Sequence, residues 1–290
     1  MINAAHLRSR AESLGAALPP LLAEAQHLAN TVLLGEHGRR RAGMGDEFWQ
    51  YRPAMATDSA RAIDWRRSAQ SDQHFVREKE WQAVQTVVLW VDQSQSMGFT
   101  SAKGLPAKSA RANLLAMALA VLLNRGGERV GLSTPAAPPR IGKGQLLRMA
   151  EALSDLGDHD YGAPDMEMIQ PRARALFVSD FFGDISAIRT SVTKAADRGI
   201  RGVLLQVLDP EEEAFPFHGR TIFESMGGSL SHETLKANEL RARYLDRLAR
   251  RKGALADLAR TTGWRFATQH TDTSAKAGLL WLYRAMERRV

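Results

Sequence analysis

Residues 86–97 read TVVLWVDQSQSM, an unbroken apolar run that ends in Asp92, Ser94 and Ser96 with the spacing D-x-S-x-S. Val87, Val88, Val91 and Trp90, with no polar residue among them, are what a strand buried on both faces looks like, so the run is placed centrally in a parallel sheet. Open parallel sheets bind ligands beyond the carboxyl ends of their strands, and Asp92 stands at that end. One carboxylate and two hydroxyls delivered there can converge on a hard divalent cation. Magnesium, with its oxygen octahedron and retained waters, suits the set better than zinc or calcium. The alternative is a strand-to-helix turn in which Asp and Ser only cap the chain.

Working outward, residues 107–124 form an Ala- and Leu-rich helix closed by Gly126 and Gly127, followed by a short strand at 129–133 and a helix at 144–156. The stretch 173–179, ARALFVS, is a second buried strand, and it ends at Asp180 as the first ends at Asp92. Two strand-end aspartates in adjacent parallel strands would face one crevice. A helix at 185–198, a strand at 202–208, a helix at 233–262 with a break possible at Gly253, a strand at 264–268 and a helix at 274–288 complete the order. Strand alternating with helix predicts an α/β fold: a three-layer, open, mainly parallel, Rossmann-like sheet with helices on both faces.

Upstream, residues 4–34 show helical spacing interrupted at Pro19 and Pro20, hence two short helices with the second starting near the prolines. Residues 38–85 carry Arg39, Arg40 and Arg41 and then Trp49, Tyr51, Trp65, Phe75 and Trp81. These aromatics are expected to make a satellite core beneath charged side chains. The domain reading is therefore N-terminal helices at 1–37, an aromatic and basic extension at 38–85 packing on the main domain, and the α/β domain at 86–290.

The chain has 290 residues, 44% hydrophobic and 24% charged, which is ordinary for a globular protein. It contains no cysteine, which excludes disulfides, thiolate metal sites and a Cys nucleophile. The longest apolar stretch, 114–123, falls short of a membrane span, and the N-terminus mixes charges with apolar residues, so a soluble, cytoplasmic protein is expected. The formal charge of +7 and a pI near 10.0 admit nucleic acid or an acidic partner. The bases are dispersed among acids, however, and no nucleic-acid motif accompanies them, so nucleic acid ranks last.

With these elements in hand, the second half resembles a von Willebrand factor type A domain. That family's metal-ion-dependent adhesion site combines a DxSxS loop, a Thr from a later loop and an Asp after the fourth strand. The resemblance implies magnesium held by Asp92, Ser94, Ser96 and Asp180. No Thr or Ser stands at 161–163, where Tyr161, Gly162 and Ala163 are found, so Asp158, Asp160, Asp165, Thr134 or water would have to substitute. Over about residues 14–288, the segments GRRRAGMGDEFWQYRP, IDWRRSAQ, FVREKEW, VDQSQSM, SDFFGD and VLDPEEEAFPFHG are similar to the bacterial family called Domain of Unknown Function 58. Members of that family are commonly encoded beside a MoxR-type AAA+ ATPase. The resemblance thus implies a non-enzymatic interaction module acting with such an ATPase on a client, the ion being completed by a partner's carboxylate. A magnesium-dependent hydrolase or phosphotransferase in the same crevice, with His159 or His270 as base, is the rival; an Asp at the position of Ser94 would have favoured it.

Overall fold

The computed structural model describes residues 19–35, 48–55, 58–60, 63–70, 73–79, 84–154, 156–165, 169–229 and 231–286. They divide into two units, one of the described residues within 1–36 and 85–290, the other of those within 37–84. In the larger unit, helix α1 (Pro20–Gly35) begins at a proline, whose fixed φ suits the first helical position. Leu22, Ala25, Ala29 and Val32 make its buried stripe. The other helix expected upstream lies outside the described residues.

In the smaller unit, β1 (Phe48–Pro53) pairs antiparallel with β2 (Phe75–Lys79), Pro53 opposite Phe75, and the short helix α2 (Trp65–Ser68) lies between them in sequence. Asp64 caps α2 by accepting the Arg67 N–H at 3.0 Å, and Ser68 Oγ accepts the Phe75 N–H at 2.9 Å, which ties the helix to β2. The satellite core is only partly realised here. Val76 is buried and Phe75 half-buried under the Arg67 guanidinium, but Trp65 is 57% exposed and edge-on to His74. Trp81 and the side chains of Trp49 and Tyr51 lie outside the described residues.

The larger unit continues with β3 (Thr86–Val91), α3 (Lys108–Arg125), β4 (Arg129–Leu132), α4 (Lys143–Ala152), β5 (Arg174–Ser179), α5 (Ile185–Asp197), β6 (Arg201–Leu208), α6 (Pro210–Ala214), β7 (Thr221–Glu224), β8 (Ser231–Thr234), α7 (Ala237–Thr262), β9 (Arg265–His270) and α8 (Ala275–Met286). Five strands form a parallel sheet in the order β4-β3-β5-β6-β9. This is the open α/β sheet that the strand runs predict. The antiparallel β7–β8 hairpin is an addition: residues 233 and 234 belong to β8, and α7 starts at Ala237 and runs unbroken through Gly253.

Alternate residues of each strand enter opposite cores, as a pleat with period 2 requires. Val87, Leu89 and Val91 meet α1, α3, α4 and α8, whereas Val88, Phe177 and Leu204 meet α5 and α7. Helix α3 is buried over most of its surface because the sheet lies on one side and α1 and α8 on others; this explains its Ala-rich, apolar sequence without a membrane. Among the described residues, no helix is long and apolar enough to cross a membrane. From β3 the chain crosses to β4 on one side and then to β5 on the other, so the strand order reverses between β3 and β5. Asp92 and Asp180 follow those two strands, at the topological switch point where such sheets bind ligands.

A candidate site at the carboxyl edge of the sheet

The Asp92 N–H still donates to Val178 O at 2.8 Å, so Asp92 extends the β3–β5 pairing by one residue before the chain turns. Its carboxylate is 2% exposed: Oδ1 accepts the Ser94 N–H at 2.9 Å and Oδ2 accepts the Ser179 hydroxyl at 2.6 Å. Ser94 and Ser96, both buried, place their hydroxyl oxygens 3.2 Å apart. Asp180, 1% exposed, accepts the Phe182 N–H on Oδ1 at 2.9 Å. Between them Phe181 adopts a left-handed backbone (φ 54°), a conformation of order 1–3 kcal/mol above the usual wells for a bulky residue. Its N–H bond to Ser179 Oγ at 2.8 Å and the burial of its ring beside Trp90 hold the turn.

A second loop closes over the first. Ser96 N–H donates to Asp160 O at 3.0 Å, Gln95 N–H to His159 O at 2.8 Å, and Gly157 N–H to Gln93 O at 2.6 Å. Gly162 lies so close to Asp92 that a Cβ there would stand 2.3 Å from Oδ1, which is why this position carries no side chain. Of the substitutes considered for the adhesion-site Thr, Asp160 turns away: its Oδ2 accepts the hydroxyls of Ser225 and Ser229 at the hairpin tip. Thr134 instead shares with Asp92, Ser94, Ser133, His159 and Gly162 the lining of a crevice of about 230 Å³.

Two residues that sequence reasoning missed dominate the electrostatics. Lys108, at the first turn of α3, is 1% exposed and donates from Nζ to Asp180 Oδ2 at 2.8 Å and to Glu212 Oε1 at 2.5 Å. The Phe182 and Phe99 rings flank the ammonium, with centroids at 5.1 and 5.8 Å. Glu212 is positioned by the capping box of α6: its Oε2 accepts the Asp209 N–H at 2.9 Å, while Asp209 Oδ1 accepts the Glu211 N–H. Asp209 Oδ2 also takes the Ser101 N–H, which ties the chain between Asp92 and α3 to the end of β6. Burial alone would lower the Lys108 pKa; Asp180 and Glu212 outweigh it and hold the ammonium above its usual range. Burial pushes the Glu212 carboxyl up in spite of Lys108, and Asp180 beside the same ammonium adds to the rise. The D-P-E-E sequence at 209–212 is a legible helix start, but nothing local announces that its glutamate meets Lys108.

The profile of the family described as "Protein of unknown function DUF58" matches residues 50–254. The chain belongs to the DUF58 family. Relatives include the uncharacterized protein Rv1480 of Mycobacterium tuberculosis and the uncharacterized protein Mb1516 of Mycobacterium bovis. Each is 27% identical over 264 residues, covering 86% of this chain and 81% of the relative. Among solved structures, the conserved hypothetical protein BatB from Bacteroides thetaiotaomicron aligns with 14% identity and a TM-score of 0.39, over 70% of this chain and 98% of that one. An aerotolerance-related membrane protein from Bacteroides fragilis aligns with 12% identity and a TM-score of 0.36, over 70% and 100% respectively.

In this DUF58 chain the four residues expected to hold magnesium are brought to one edge, but they do not fit an open ligand set. Asp180 is committed to an ammonium, and both Asp92 oxygens already accept hydrogen bonds from the chain itself. What the sheet edge offers is a small crevice at Asp92 and a buried ion cluster of Lys108, Asp180 and Glu212.

Proposed function

We propose that this DUF58 protein is a non-enzymatic, cytoplasmic interaction module of von Willebrand factor A type, which engages a MoxR-type AAA+ ATPase or its client at the crevice lined by Asp92, Ser94 and Thr134. The carrying observation is that the crevice's polar groups are arranged for holding. The Ser94 hydroxyl that lines the crevice is paired with Ser96 and not with a base, and both Asp92 oxygens are clamped by the chain itself. His159 lines the crevice, but no described carboxylate orients it, and His270 is bonded to Glu213. A volume of about 230 Å³ lies below the roughly 300–1,000 Å³ typical of small-molecule pockets and suits one or two side chains of a partner. The net charge of +7 would steer an acidic surface towards the molecule.

The test is calorimetric titration of the purified protein with the MoxR-type ATPase of the same organism. Thr134→Trp and Ala163→Trp, both at exposed positions of the crevice wall, should weaken the complex at least about tenfold, as rim-to-pocket blockage of a hot spot does. Wild-type affinity in both variants would move the docking surface elsewhere.

A further inference from the structure

The geometry points to Lys108 as the resident cation of this sheet edge: its ammonium supplies the positive charge that a divalent ion would otherwise bring to Asp180, so the edge that carries Asp92 and Asp180 works without metal. This goes beyond partner capture and does not depend on it, since it is read on the isolated chain.

Three observations carry the inference. First, a lysine at the first turn of a helix is opposed by the helix dipole, and burial opposes it again, so this one persists only because two carboxylates meet it. Second, those carboxylates are delivered independently, Asp180 by the end of β5 and Glu212 by the capping box of α6, and both converge on Nζ within hydrogen-bond distance. Third, the Asp180 oxygens are occupied, one by Lys108 and one by the Phe182 N–H. A magnesium ion bound to Oδ2 would lie within about 5 Å of the ammonium, from the 2.8 Å hydrogen bond and a metal–oxygen distance of about 2.1 Å, and the two cations would repel strongly at low dielectric. Asp92, Ser94 and Ser96 then serve as the hydrogen-bonded scaffold of the turn. Removing the ammonium should convert the site: Asp180 and Glu212 would be left without a counter-charge, with the space of a lysine side chain open to a hydrated ion.

Thermal unfolding and calorimetry with magnesium chloride, against chelator and against sodium chloride of equal ionic strength, test this. Wild type should show no saturable magnesium binding and an unchanged Tm, and so should Lys108→Arg, which keeps the charge. In Lys108→Ala, magnesium should raise the Tm by several degrees at saturation, and the added change Asp180→Asn should abolish that rise. Saturable magnesium binding by the wild type that Asp180→Asn or Asp92→Ala removes would overturn the inference. So would a folded Lys108→Ala protein that responds to magnesium no more than wild type. The wild-type measurement decides even if Lys108→Ala does not fold.

Discussion

Replacing Lys108 by methionine should be among the most costly single substitutions in this protein, and the cost should be recoverable by removing the charges it leaves behind. Methionine fills much of the lysine volume and can keep its sulfur near Phe99 and Phe182, so the change isolates the charge. It strands Asp180, 1% exposed, and Glu212, 14% exposed, without their ammonium. Breaking a buried ion pair from one side costs about 3–5 kcal/mol. Relief of the adverse charge at the start of α3 returns at most about 1 kcal/mol, so the net loss is about 2–5 kcal/mol. With a urea m-value of about 3 kcal/mol per molar for a chain of this size, the midpoint should fall by about 1 M at constant slope. The triple variant Lys108→Met, Asp180→Asn, Glu212→Gln should recover most of that loss. The Asn oxygen can still accept the Phe182 N–H, and Gln still completes the α6 capping box. Urea unfolding followed by circular dichroism reads both. A single variant within about 1 kcal/mol of wild type, or a triple variant no more stable than the single, would refute the assignment of a buried carboxylate pair held by the ammonium.

Gly162→Ala puts a Cβ against the Asp92 carboxylate, where 2.3 Å is available, and should cost roughly 1–3 kcal/mol by urea unfolding as the loop is forced off the crevice; a neutral result would mean that this loop yields freely. Phe177→Ala should cost about 3–5 kcal/mol, because the ring is fully buried with centroids 5.8 and 5.0 Å from those of Trp90 and Trp264, whereas the exposed Trp65→Ala should stay below about 1 kcal/mol in the same assay. Burial works to raise the Glu213 pKa, but its bonds to Lys252 and His270 outweigh that and hold it below the usual 4.5. The folded state therefore binds fewer protons than the unfolded state here, and the stabilisation is present above pH 4.5 and lost as pH falls through the lowered value. The stability difference between wild type and Glu213→Gln should shrink on acidification through that range, and a difference that is flat or grows would contradict the pairing.

Much of the sheet was readable because its inner strands β3, β5 and β6 are buried on both faces and so must be largely apolar, whatever packs against them; the edge strand β9, RFATQH, is only half-buried. The five runs at 86–91, 129–133, 173–179, 202–208 and 264–268 coincide with β3, β4, β5, β6 and β9 to within two residues. The strand-end positions of Asp92 and Asp180 follow from the same local rule. The β7–β8 hairpin was missed although its signal is present: Gly227 and Gly228 sit between short alternating runs, but the charged residues that follow extend the helical pattern of α7 upstream to 233. Gly253 costs α7 only about 1 kcal/mol relative to alanine, which the flanking turns absorb, so a plausible break is not one.

Strand, helix and turn are dictated by neighbours a few residues apart, and the amino-acid sequence by itself determined them, together with the α/β class and the edge at which a site would form. The electrostatic character of that site belongs to tertiary structure. Lys108 lies 72 residues from Asp180 and 104 from Glu212, so no periodicity or spacing links them, and whether two carboxylates at a sheet edge face solvent, a metal ion or an ammonium is decided only when α3 and α6 dock against the ends of β5 and β6. Charge–charge interaction depends on distance in space and on exclusion of water, and neither is a property of a segment read alone.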